Sequence, residues 1–190
     1  MGMNTVNPIF IYNAEKTVAM IYRILGVLGK TSKRKLMKLL YLVDKEHLNE
    51  YGRLVSEDRY FAAPYGPVPS LTLGVFEKKE KYVKQALKIG TLCDMDSLKI
   101  FDTYFDVKEN MVSNKSMSPK DTRLSSSDKK IIDKVIKDFG SMEEQEIIDY
   151  THELNEFKET RSGDQIDYEK MMLGASDEAR QAYRLHVAAL

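Results

Sequence analysis

The chain has 190 residues, of which 43% are hydrophobic and 31% charged, and its 29 basic and 29 acidic side chains cancel to a formal net charge of zero. This composition excludes a disordered chain, fits one domain that buries roughly two-thirds of its unfolded surface, and argues against nucleic acid as the main partner, because phosphate binding draws on a basic excess. The lone cysteine, Cys93, fits a reducing cytoplasm, and no apolar run approaches the ~18 residues of a membrane span, so a cytoplasmic protein without a membrane role is expected.

In chain order, residues 1–12 read as a loose N-terminal segment ahead of a single domain over residues 13–190. Asn13 suits an N-cap, Val18, Ile21, Tyr22, Leu25 and Leu28 form one apolar stripe, and Gly29 ends that first helix. A second helix follows, capped by Thr31 or Ser32, apolar at Leu36, Leu39, Leu40, Val43 and Leu48, and closed by a left-handed Gly52. So short a connection predicts antiparallel packing of the two helices. Pro64-Tyr65-Gly66-Pro67 then fixes a tight turn that sets the direction of a third helix. Leu71, Val75 and Phe76 open that helix, and the charged run from Glu77 to Lys81 carries it toward Leu87.

From Phe101 to Lys108 apolar and polar residues alternate at strand period, and Glu109-Asn110 turns the chain toward a second strand at Met111 and Val112. After a surface loop, Ser125 to Ser127 offer caps for a helix with Ile131, Ile132, Val135, Ile136 and Phe139 on one face, ended by Gly140. Ser141 with Glu144 fits a capping box for a helix that buries Ile147, Ile148 and Leu154. A short helix around Tyr168 to Leu173 and a last one capped by Ser176 complete the chain. The fold class is mainly α (α+β): a single-domain bundle of about six to seven helices with a small β-hairpin or sheet inserted.

Nothing in these residues demands catalysis. His152-Glu153-Leu154-Asn155-Glu156 begins like a zinc-protease helix, but that motif needs a histidine where Glu156 stands, so no metal is expected. His47 and His186 read as histidines hydrogen-bonded at helix flanks or ends. Asp94 and Asp96 beside Cys93 would raise its thiol pKa rather than activate it. There is no glycine-rich phosphate loop or other cofactor motif. Lys33, Arg34, Lys35 and Lys38 crowd the electropositive start of a helix, which reads either as contact with phosphate or an acidic partner or as a solvated face. One of these lysines can also fold back onto carbonyls of the Tyr-Gly-Pro turn. Tyr41, Tyr51, Tyr60 and Tyr65 read either as interface aromatics or as core residues with satisfied hydroxyls, with Tyr65 the most exposed. Val187 to Leu190 read either as a protease handle or as an ordinary frayed helix end.

Lys35-Leu36-x-Lys38-Leu39-Leu40-Tyr41, Tyr51-Gly52-Arg53 and Phe61-Ala62-Ala63-Pro64-Tyr65-Gly66-Pro67-Val68 together resemble the core signature of the Panacea family, the SocA-like antitoxin domains of prokaryotic toxin–antitoxin systems. Leu124 to Asp128, Thr151-His152 and Ile166-Asp167-Tyr168 follow in the same order, so the resemblance runs from about Ala14 to about Leu173. It departs at Asn155-Glu156-Phe157, where similar proteins often carry a Trp-containing step. The resemblance implies an antitoxin that neutralises a cognate protein toxin, encoded next door, by direct contact. It also places a histidine at His152, which is expected to hold two helices in register. Lys35, Lys38, Tyr41, Tyr60, Tyr65, Gly66 and Pro67 are the candidate partner-binding residues. Alternatives are an adaptor that hands a bound protein to a cellular protease, a mobile-element protein with another protein partner, and a DNA-binding regulator using the Lys33–Lys38 helix.

Overall fold

The computed structural model describes residues 10–88 and 91–189. Strand β1 (Phe10–Ile11) pairs in parallel with β5 (Thr91–Leu92), and Tyr12 beside it is buried. Helix α1 (Ala14–Leu28) starts where the Asn13 side chain accepts the Lys16 N–H at 3.0 Å and stops at Gly29, φ 68°. Strand β2 (Thr31–Ser32) leads into α2 (Lys33–Tyr51), capped by the Ser32 hydroxyl at 3.1 Å and ended by a left-handed Gly52. A Cβ on Gly52 would lie 2.3 Å from the Ala179 carbonyl oxygen, so this glycine also lets the last helix approach. Strands β3 (Tyr60–Ala63) and β4 (Gly66–Pro69) form a hairpin, followed by α3 (Ser70–Glu77) and α4 (Glu80–Lys88). After β5 come α5 (Ile100–Tyr104), β6 (Phe105–Lys108) and β7 (Met111–Asn114), and β7 pairs with both β6 and β2. The chain closes with α6 (Ser126–Phe139), α7 (Glu144–His152), α8 (Asn155–Lys158), α9 (Tyr168–Met171) and α10 (Asp177–Ala189).

Ten helices are thus present among the described residues, and the seven longer than one or two turns make an α+β bundle with small strands. Its axis is α2. Every residue from Leu36 to Asp44 is buried, because α6, α7, α10 and β4 close on this helix from several directions. An amphipathic helix keeps a polar face in water; this stretch keeps none, so each polar group on it needs a partner inside.

Several sequence expectations shift for physical reasons. Of the N-terminal segment read as loose, residues 1–9 lie outside the described residues, whereas Phe10 to Tyr12 belong to the fold. The α1–α2 pair does not pack as a helical hairpin: β2 is drawn off to pair with β7, and α6 is the element that packs on both helices. The third helix breaks at Lys78, which adopts φ 52° and caps α3 through its N–H. The expected strand over Phe101–Lys108 is half helix, since Phe101 and Phe105 lie four residues apart and both enter the core beside Phe76. Its second half and the Glu109-Asn110 turn do form the expected hairpin, with Glu109 at φ 53° and Val107 opposite Val112. The capping box of α7 is Glu143 with Glu146, two residues beyond the expected pair, and Leu154 falls in the step to α8.

Candidate functional site

The hairpin β3–β4 carries the site. β3 is its inner strand, since the segment at Gly163–Ile166 binds it on the side away from β4: Gly163 N–H donates to Ala62 O at 2.7 Å and Ile166 N–H to Tyr60 O at 2.8 Å. β4, with Pro67 and Pro69, is the edge strand, where a missing N–H is tolerated. Between them Pro64 and Tyr65 make the tip, and Tyr65 is 55% exposed. Gly66 allows the turn at φ 94°. A Cβ there would lie 2.9 Å from Thr151 Oγ1, 3.0 Å from Lys38 Cε and 3.1 Å from His152 Cδ2, so the hairpin rests directly on α2 and α7.

The four cations at the start of α2 have four different tasks. Lys33 pairs with Glu77 at 2.6 Å, and the Arg34 guanidinium lies 4.4 Å from the centre of the Tyr65 ring and 3.3 Å from Glu144. Lys35 donates to the Gly140 carbonyl at 2.8 Å, closing the end of α6. Lys38 is 1% exposed and donates to the Pro67 carbonyl at 2.8 Å, which supplies the edge strand with a donor and realises the fold-back read from the sequence. Burial, helped by the Arg34 charge, lowers its ammonium pKa to about 7.

Beneath the tip lies a buried polar layer. Tyr41 donates to Glu156 at 2.7 Å, Lys45 pairs with the same carboxylate, and Tyr41 packs edge-on to Tyr60 at 5.1 Å. Tyr60 donates to Asp44 at 2.7 Å, and Asp44 also accepts Val55 N–H at 2.6 Å, Ser56 N–H at 3.1 Å and the Ser56 hydroxyl. Asp58 caps α3 from outside it, accepting Leu71 N–H at 3.0 Å and Thr72 N–H at 2.9 Å, because Pro69 at the helix start has no side-chain acceptor. Burial raises the Asp58 carboxyl to about 6 despite those bonds. His152 stacks flat on Phe157 at 4.8 Å, tying α7 to α8 while its ring edge touches the hairpin.

The surface read from the sequence therefore needs correction. Lys38, Tyr41 and Tyr60 are buried, and Gly66 and Pro67 turn inward; all five hold the hairpin rather than face solvent, because α2 has no open side here. Lys35 is half-buried and spent on Gly140. Of the candidate partner-binding residues Tyr65 alone is exposed, and Arg34, read from the sequence only as part of the basic cluster, accompanies it. Asp44 had a signal: it follows Leu36 and Leu40 at four-residue steps, so an acid on that stripe must be buried and partnered. Glu156, discarded with the zinc motif, had none.

The family model for the SocA-like antitoxin Panacea domain matches residues 36–158, about two-thirds of the chain, including the whole hairpin and the α2 and α7 residues it rests on. The chain belongs to this family. No curated protein and no solved structure matches it. Within this Panacea domain the Asn155-Glu156-Phe157 step lays the Phe157 ring flat against His152.

Proposed function

We propose that this Panacea-domain protein is an antitoxin that neutralises a cognate protein toxin by direct contact, and that Tyr65 at the hairpin tip is its anchor. One observation carries the reading: a large aromatic ring is held outside the fold by a turn whose underside is fixed by Lys38, Thr151 and His152. A side chain ordered in advance loses little entropy on binding, and a few such aromatics dominate many interfaces. Family membership supports a toxin–antitoxin role and a protein as the partner. The reading includes no catalytic step. Cys93 fits that view, since partial burial, more than its acidic neighbours, pushes its thiol pKa up. It also places the protein in the cytoplasm, and no helix among the described residues is long and apolar enough to cross a membrane.

Co-expression with the product of the neighbouring gene tests the proposal. That product should arrest growth alone and be silenced by this protein. Tyr65→Ala should abolish rescue at a cost of about 2 kcal/mol or more in affinity while leaving the melting temperature within a few degrees. A variant that rescues with unchanged affinity removes Tyr65 from the interface, and a harmless neighbour removes the antitoxin reading.

A further inference from the structure

Alongside α4, an open groove of about 550 Å³ runs between that helix, the end of α3 and the segment from Met95 to Asp102. Its floor is apolar: Val75, Val83, Leu87, Met95 and Leu98, with Leu87 38% and Met95 51% exposed. Its rim is basic, with Lys78, Lys79, Lys84 and Lys99 against the two carboxylates Glu80 and Asp102. Three of these lysines have local pairs, Lys79 with Glu77 at 3.1 Å, Lys84 with Glu80 at 2.7 Å and Lys99 with Asp96 at 2.5 Å. Pairs this exposed contribute little and exchange readily for another carboxylate. Lys78, at a left-handed backbone position, is exposed and makes no ion pair among the described residues.

A relay of paired side chains leads from the proposed anchor to the groove rim. Arg34 lies over Tyr65, its neighbour Lys33 holds Glu77, and Glu77 holds Lys79 on the groove rim. From these observations we infer that the groove receives an acidic amphipathic helix of the protein partner, apolar side chains down on Val83 and Leu87 and carboxylates out toward the lysines. The nine residues of α4 span about 13 Å at the helical rise, which matches two to three turns of such a helix. Apolar anchors at i, i+3, i+4 and i+7 meet a floor of this kind, and the lysine rim selects against a basic helix. The inference deepens the reading of a protein partner and rests on it.

Two arms keep the groove and the antitoxin reading separable. In the first, the full chain is titrated by fluorescence anisotropy with a labelled designed helix, Leu at the four anchor positions and Glu elsewhere, and with a twin carrying Lys in place of Glu. The acidic helix should bind at least about tenfold more tightly than its twin and weaken with added salt. Leu87→Glu and the Lys78→Glu/Lys84→Glu pair should each abolish that preference, and these are exposed positions whose variants keep the native melting temperature. Equal binding of both helices, binding indifferent to these substitutions, or none up to about 1 mM overturns the inference. In the second arm, hydrogen exchange is compared between the free chain and its complex with the neighbouring gene's product. Protection of both the hairpin and residues 74–88 is expected; protection of the hairpin alone overturns the groove and leaves the antitoxin reading intact.

Discussion

Tyr60 and Tyr65 stand five residues apart on one hairpin and live in opposite environments. Tyr60, at the base, is wholly buried, its hydroxyl on Asp44 and its ring against Tyr41. Tyr65, at the tip, is exposed, with the Arg34 guanidinium over its ring. The base is built for rigidity, with carboxylates that satisfy backbone and hydroxyl donors in a dry interior, where an unmet donor is costly. The tip uses that rigidity. The same residue type therefore serves stability at one end of the hairpin and, on the proposed reading, recognition at the other, and the two roles should respond differently to substitution.

The largest effect is expected at the base. Asp44→Ala leaves two backbone N–H groups and the hydroxyls of Ser56 and Tyr60 without their acceptor, and should lower stability by about 3 kcal/mol or more in chemical denaturation. A loss below about 1 kcal/mol would mean that the buried layer is not what supports the hairpin.

Gly66→Ala comes next. The left-handed backbone and the atoms about 3 Å from the new Cβ should together cost about 1–3 kcal/mol. Because Thr151 and His152 must move, toxin affinity should fall along with stability, whereas Tyr65→Ala moves affinity alone. An equally stable, equally active Gly66→Ala variant contradicts the close seating of the hairpin on α7.

Lys38 gives a pH signature. Its pKa is about 7 in the fold against 10.5 when exposed, so from pH 7 to 10.5 the unfolded chain binds the proton and the folded chain does not. Stability from this group therefore rises with pH across that window, by at most about 1.4 kcal/mol per pH unit, and is lost as pH falls through 7. Lys38→Met should flatten the slope. Asp58 works in a separate window: raised from 3.8 to about 6, it favours the fold below 3.8 and loses that contribution as pH rises through 6. A Lys38→Met profile parallel to the wild type above pH 7 rejects a depressed lysine.

Local features of this fold were legible because they are local. The caps at Asn13, Ser32 and Ser125, the stops at Gly29 and Gly52, and the turn at Glu109-Asn110 each follow from one residue's own geometry. The signature around Lys35–Tyr41 and Phe61–Val68 was equally plain. What the sequence hides is the closure around α2. Leu36, Leu39, Leu40 and Val43 mark one buried stripe, but nothing in a 3.6-residue period says that Lys38 and Tyr41 on the other faces are covered as well. Their partners, the Pro67 carbonyl and Glu156, come from 29 and 115 residues away. Packing between distant residues also explains the α5 turn, where Phe101 and Phe105 meet Phe76 and override the local strand pattern.

The smallest effect, and the one that sharpens the comparison most, concerns Arg34. Its guanidinium over the Tyr65 ring and its pair with Glu144 are both exposed, so Arg34→Ala should change stability by no more than about 1 kcal/mol. Its effect on toxin affinity depends on what Arg34 does. If it holds the Tyr65 ring in place, removing it from a Tyr65→Ala background costs nothing further, and a double-mutant cycle returns a coupling of about 0.5–1 kcal/mol. If it contacts the toxin by itself, the two losses add and the coupling vanishes. The geometry favours the first outcome, since Arg34 already has Tyr65 and Glu144 to satisfy it in the free protein. Strict additivity would instead make Arg34 a second anchor and extend the recognising surface from the hairpin tip onto the first turn of α2.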